Sequence, residues 1–377
     1  MSSTAPTYPG TPFMRAFAAA VEANVPVLLW GDPGQAKTAT IENAASSWGR
    51  EHRTIIGSTR EATDFLGIMV ETDGIITYST FEWVRFLNAA KKALLIMDEF
   101  NTANPSTMKG MVRTVQERYV GDEKLNDSVA IVAIANPPAT GVDAYDLPAP
   151  MANRMLHLDW VFDTELWMDN VGTNFEHVVY PKLDSLLSAN PVTRRAAVAA
   201  AVATYHKQNP DQLTPPVPTD PVKAGQAWAS PRSWTNLISA MSHLEKDDLE
   251  AIKLVIDGTI GEATGLPFFT WYLANDLHDP AEVLDNPGIV DWANERPDRL
   301  FFLVNSVTNL GLSVETNWKK AALALAACAN GDKPDVALPG AQKLMNNVPQ
   351  GEKMPLQFRN AFTELFGHTH NRVTAAV

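Results

Sequence analysis

VPVLLWGDPGQAKT (residues 25–38) decides the fold. Its opening, VPVLLW, is a continuous apolar run of the kind that forms a strand buried on both faces of a parallel sheet. GDPGQAKT (31–38) ends that strand with glycine and proline, and a helix-compatible stretch follows from Lys37 to Trp48. A buried strand, a glycine-containing loop and a helix opening on Lys-Thr is the arrangement whose backbone N–H groups and helix N-terminus cradle phosphates. Gly31, Lys37 and Thr38 fit the pattern G-x-x-x-x-G-K-[ST]. Ala36 stands at the second motif glycine, while Gly34 keeps the loop backbone adaptable. Asp32, Pro33 and Gln35 complete the loop expected to contact a nucleotide. Lys37 is expected at its β- and γ-phosphates, and the Thr38 hydroxyl on Mg2+.

Working outward, ALLIMDEF (93–100) is a second buried run that ends in Asp98-Glu99. Ligands of open parallel sheets bind just beyond the carboxyl ends of the strands. Asp98 there suits the Mg2+ shell, and Glu99 suits a general base that takes a proton from an attacking water. VAIVAIANPP (129–138) ends in Asn136, whose amide suits either a water- or phosphate-orienting role or an Asx turn before Pro137-Pro138. Arg154 in LPAPMANRM (147–155) and Arg232 in ASPRSW (229–234) read, as single arginines, like ordinary solvated side chains.

The remaining chain sets the domain plan. RTIIG (53–57) and MLHLDW (155–160) add strands, and helices are expected over Phe13–Glu22, Phe81–Ala90 and from Pro105, capped by Asn104, to about Arg118. IMVETDGIITY (68–78) reads as a hairpin turning at Asp73-Gly74. Strands alternating with helices predict an α/β fold, a parallel sheet covered on both faces, over residues 11–165, after a loose tail at 1–10. Strand signals stop at Phe162. A helical segment and the proline-rich NPDQLTPPVPTDP (209–221) fall in 166–229, and a helical lid and C-terminal helical region in 230–377.

Composition narrows function. Acid exceeds base throughout: 13 Lys and Arg against 18 Asp and Glu in residues 1–160, and 17 against 25 in the rest. A chain so evenly acidic, net −13, has no long-range attraction to nucleic acid or anionic lipid. The single cysteine, Cys328, excludes an internal disulfide framework and a multi-cysteine zinc site, and fits a reducing compartment. With no apolar run near the ~20 residues of a membrane span and no basic-then-apolar start, a cytoplasmic location is expected. His368-Thr369-His370 reads as a solvated terminus, and Trp228 and Trp234 as core.

These motifs, in this order, resemble the MoxR-type AAA+ ATPases of the helix-2-insert group over about residues 10–245. GDPGQAKT is similar to that family's Walker A, in which Ala often precedes the Lys. LLIMDEFNTANPSTMKGMVRTVQERYV (94–120) is similar to its Walker B and following helix, and ATDFLG (62–67) also fits. IVAIANPP (131–138) is similar to sensor 1, LPAPMANRM to the arginine-finger segment and SPRS (230–233) to sensor 2, and the 68–78 hairpin lies where the insert belongs. Two positions depart from the family: Thr102 follows DEFN where Arg is usual, and Asn153 precedes Arg154 where Asp is common. The resemblance implies ATP and Mg2+ as cofactors, a homo-oligomeric and hexameric ring, and a protein substrate or a separate partner carrying a von Willebrand factor A domain. It implies that Arg154 reaches the nucleotide of the neighbouring subunit and that Arg232 contacts phosphates in its own. The insert hairpin would flank the pore. The alternatives are a nucleic-acid-translocating or restriction-type GTPase of the same group, and a nucleotide-gated scaffold with little hydrolysis.

Overall fold

The computed structural model describes residues 11–137, 145–173, 175–176, 178–275 and 278–366; the 1–10 tail and His368-Thr369-His370 lie outside them. The strands are β1 (Val27–Trp30), β2 (Glu51–Ile56), β3 (Ile68–Thr72), β4 (Ile75–Ser79), β5 (Ala93–Asp98), β6 (Tyr119–Val120), β7 (Glu123–Lys124), β8 (Val129–Ala135) and β9 (Leu156–Asp159). Helices of the first half are α1 (Pro12–Glu22), α2 (Lys37–Ser47), α3 (Thr63–Leu66), α4 (Glu82–Ala89), α5 (Pro105–Glu117), α6 (Ala149–Ala152) and α7 (Thr164–Asn170). Those of the second half are α8 (Pro191–Gln208), α9 (Pro221–Ala224), α10 (Pro231–Met241), α11 (Leu249–Ile260), α12 (Glu262–Ala274), α13 (Pro280–Asp285), α14 (Pro297–Ser313), α15 (Trp318–Asn330), α16 (Pro334–Met345) and α17 (Leu356–Phe366).

Two compact units do not follow chain order. One combines Met1–Ala189 with Gln212–Pro267, and the other Asn190–Asp211 with Phe268–Val377. Lid helices α10 and α11 thus belong with the α/β core, against α1 and β9, and α8 belongs with the C-terminal helices. The division falls inside α12 at Pro267, a residue that cannot donate to the helix ladder.

The first unit is built on a five-stranded parallel sheet in the order β2-β5-β8-β1-β9. This is the α/β architecture expected from the sequence. The inner strands β5 and β8 are almost wholly buried, which is why they read as continuous apolar runs. Leu28, Leu95, Met97, Phe65, Met108 and Met111 join them to the helices of one face in a single core. The β3–β4 hairpin stands apart. Asp73 (φ 53°) and Gly74 (φ 76°) form its two-residue turn, and both faces carry exposed apolar side chains, with Ile68, Met69, Ile75 and Ile76 53–66% exposed.

A buried histidine ties β1 to the Arg154 segment. Trp30 Nε1 lies 3.1 Å from His157 Nδ1, and His157 Nε2 lies 2.8 Å from the Ala152 carbonyl. Only a neutral ring with its proton on Nε2 satisfies both contacts. Burial pushes the His157 pKa down to about 4, with the Ala152 contact opposing. Between the unfolded value near 6.5 and 4, the unfolded chain binds a proton that the native chain excludes, so native stability falls as pH drops through that window. The loss is about 3 kcal/mol for this group alone. In urea titrations between about pH 7 and pH 5, His157→Gln is expected to flatten the pH slope relative to wild type. Equal slopes would remove His157 as its source.

The second unit is a helical bundle around α14, which packs on α8, α15 and α16. Trp318, Leu303, Leu325, Phe358 and Phe362 fill its core, and the Trp318 indole donates to the Leu344 carbonyl at 3.1 Å. Cys328 is buried there, which pushes its thiol up to about 12.

Candidate nucleotide site

Sheet order and register bring four strand ends together. β1 pairs with β8 with Trp30 opposite Ala135, so Gly31 leaves the sheet beside Asn136, its N–H bonded to the Ala135 carbonyl at 3.2 Å. β2 pairs with β5 with Ile56 opposite Asp98, which places Gly57 and Ser58 beside Glu99. Residues far apart in sequence therefore line one carboxyl edge.

The 31–38 loop is shaped for close approach. A Cβ on Gly31 would sit 2.7 Å from Trp160 Cβ and 3.0 Å from Lys37 Cδ, so no larger residue fits. Ala36, which stands in the glycine position of the motif, adopts the left-handed conformation a glycine would take (φ 56°, ψ 24°) and precedes α2. No side chain caps α2 and no acid lies in its first turn, whereas α1, α5 and α10 are capped by Thr11, Asn104 and Ser230. The free N–H groups and dipole of α2 are thus left for an anion. Lys37 is 7% exposed, and its ammonium donates to the Gly31 and Asp32 carbonyls at 2.7 and 2.6 Å. Burial holds its pKa below the ordinary lysine value, opposed by the carboxylates of Asp98 and Asp32.

Across the cleft, the Thr38 hydroxyl donates to Asp98 Oδ2 at 2.5 Å, and Asp98 Oδ1 accepts the Glu99 N–H at 2.8 Å. Among the described residues no three His, Cys, Asp or Glu side chains converge as a metal cage. A hydroxyl and a carboxylate oxygen suit a hard cation that takes its other ligands from phosphate and water, as Mg2+ does. Glu99 turns out of β5 in the left-handed region (φ 51°). The Thr102 N–H and hydroxyl hold its carbonyl at 3.3 and 3.1 Å, and its carboxylate accepts the Ser58 hydroxyl. Gly57 permits this turn, because a Cβ there would lie 2.9 Å from the Glu99 carbonyl oxygen.

A cavity of about 580 Å³ opens beside the loop, lined by Ala39, Thr40, Asn43, Trp160, Trp167 and Phe175 among others. The Tyr180 hydroxyl bonds Thr40 and Asn43. A slot of this size, lined by aromatic and polar side chains next to the α2 N-terminus, suits a nucleoside base and its sugar.

Arg154 and Arg232 lie elsewhere. The register of β1 with β9 sets Val27 opposite Leu156, so Arg154 is level with Val25, six residues before Gly31, or about 20 Å along the strand. Asn153 fixes it to the start of α10: its amide donates to the Trp228 carbonyl and accepts the Ser230 hydroxyl, both at 2.6 Å. Arg232, in the first turn of α10, is close enough to depress the Arg154 pKa, adding to the larger effect of burial. Neither arginine forms an ion pair among the described residues. The resemblance implies Arg232 at the phosphates of its own loop, and the Asn153–Ser230 tie sets it beside Arg154.

Sequence reading missed Ser58, Asn101 and the aromatic slot. Ser58 becomes relevant only through the β2–β5 register. The density of aromatic residues in the non-periodic 160–180 stretch was the available signal for the slot. Trp234, by contrast, is core, 2% exposed.

The first unit thus joins a parallel sheet, a strand–loop–helix cradle suited to phosphate and an acidic strand end, with helices α10 and α11 packed against α1. Residues 26–155 match the family model of the AAA domain, dynein-related subfamily. Midasin of Giardia intestinalis is similar, 28% identical over 144 residues that make up 35% of this chain and 3% of that protein. The chain thus spans a small fraction of its relative's length. Among solved structures, a candidate ATPase from Cytophaga hutchinsonii, determined at 2.00 Å, aligns with 17% identity over 69% of this chain and 88% of that one, with a TM-score of 0.44. ATPase activity is supported at the level of the AAA domain. Among the described residues no helix is long and apolar enough to cross a membrane.

Proposed function

We propose that this chain is a MoxR-like AAA+ ATPase that hydrolyses ATP with Mg2+ in a ring of like subunits and uses the cycle to remodel or activate a partner protein. One observation carries the reading: Lys37, Thr38, Asp98, Glu99 and Asn136 meet at one strand edge, while Arg154 and Arg232, which have no carboxylate partner among the described residues, lie at the other. Lys37 and the N-terminus of α2 bind the phosphates. Thr38 and Asp98 would hold Mg2+, which when bound neutralises charge on the transferring phosphoryl group. Glu99 takes the proton of the attacking water, and the Asn136 amide orients that water. Arg154 and Arg232 then serve a neighbouring subunit's nucleotide, where guanidinium charge stabilises the developing negative charge. The exposed apolar β3–β4 hairpin supports a role in gripping an unfolded or extended protein segment, and the even acidity argues against a nucleic-acid substrate. Turnover per chain, followed against protein concentration with sedimentation in parallel, is expected to rise as rings assemble. Full turnover by monomers would refute a shared site.

A further inference from the structure

The geometry points to Asn101 as a positioning residue that locks the general base and the Asn136 amide into one unit. This inference rests on the ATPase reading above. Asn101 is fully buried. Its side-chain Nδ2 donates to the Asn136 carbonyl at 2.8 Å, and its Oδ1 accepts the Asn136 N–H at 3.1 Å. β8 ends at Ala135 and β5 at Asp98, so Asn136 has passed the last rung of the sheet ladder. The Asn101 amide takes the place of the missing strand, supplying the donor and the acceptor that a strand partner would give. Its own carbonyl accepts the Tyr145 N–H at 2.9 Å, which fastens the chain on the far side of residues 138–144 to the same point.

Asn101 lies two residues after Glu99, within a turn that Thr102 closes on the Glu99 carbonyl. A displacement of Asn136 therefore pulls on the peptide that aims the Glu99 carboxylate, and the reverse. Only an amide at this reach presents a donor and an acceptor together. Asp keeps the acceptor and sets a lone pair against the Asn136 carbonyl. Ala removes the Asn101 partner from both part-buried backbone groups of Asn136.

The test is a double-mutant cycle on the full chain, with kcat, KM and the affinity for a fluorescent ATP analogue measured for wild type, Asn101→Ala, Asn101→Asp, Asn136→Ala and Asn101→Ala/Asn136→Ala. Asn101→Ala is expected to lower kcat about 10- to 100-fold with analogue affinity within about twofold, Asn101→Asp is expected not to rescue it, and adding Asn101→Ala to Asn136→Ala is expected to slow turnover by less than Asn101→Ala slows wild type. Multiplying losses, or an Asn136→Ala enzyme with wild-type kcat, would overturn the proposal. Hydrogen exchange needs no turnover and separates a wrong clamp from a wrong reaction. Asn101→Ala should speed exchange at the Asn136 amide, and unchanged exchange overturns the clamp even if ATP is hydrolysed. A wild-type chain without turnover, but with faster exchange in Asn101→Ala, would instead overturn the ATPase reading and with it the catalytic half of the proposal.

Discussion

Glu99→Gln is expected to slow ATP turnover by about 10²- to 10⁴-fold while leaving ATP affinity within about twofold of wild type. The change keeps the shape of the side chain and its ability to accept the Ser58 hydroxyl. It removes the basic oxygen proposed to take the proton of the attacking water. Lys37, Thr38 and Asp98 are untouched, so the groups proposed to hold the phosphates and the cation remain. Steady-state phosphate release and equilibrium binding of a fluorescent analogue separate the two effects. Wild-type turnover in Glu99→Gln would remove Glu99 as the base. Loss of binding would mean that the carboxylate holds the nucleotide instead.

Arg154→Ala is expected to lower turnover by about 10³- to 10⁵-fold, the range for a guanidinium lent to a transferring phosphoryl group. The register of β1 with β9 makes the direction of this contribution testable. Arg154 stands about 20 Å along the strand from its own phosphate loop, well beyond the reach of one side chain, and the Asn153 bonds to Trp228 and Ser230 hold its segment in place. The proposed target is therefore the loop of another copy. Mixing Arg154→Ala chains, which keep an intact loop, with Lys37→Ala chains, which keep intact arginines, creates interfaces that carry both functions. Each variant alone is expected to be nearly inactive and the mixture to regain measurable turnover. A mixture as inactive as its components would end the shared-site reading.

Most of the α/β core was legible because its signals are local. Buried parallel strands are continuous apolar runs, Asn104-Pro105 announces α5, and Asp73-Gly74 announces the hairpin turn. The convergence of Lys37, Thr38, Asp98 and Glu99 was legible for a related reason: each sits at a strand end or at the start of the helix that follows one. What stayed hidden depends on pairing between distant segments. Ser58 meets Glu99, and Asn101 meets Asn136, only once β2-β5-β8-β1 is known to be the order of the strands. The nearness of Arg232 to Arg154 stayed hidden for the same reason, since nothing local in SPRS reveals that Ser230 bonds Asn153. α12 lies within the expected helical region but has no local signature of its own, because EATGLPFFTWYLA carries Gly265 and Pro267 in its interior and shows no 3.6-residue apolar stripe.

Calorimetric titration of Mg2+-ATP into wild type and into Lys37→Ala bears most directly on the 31–38 loop as a triphosphate cradle. Saturable binding by wild type that disappears in a folded Lys37→Ala chain is the expected result. Absence of binding to wild type, or equal binding to both chains, would contradict it.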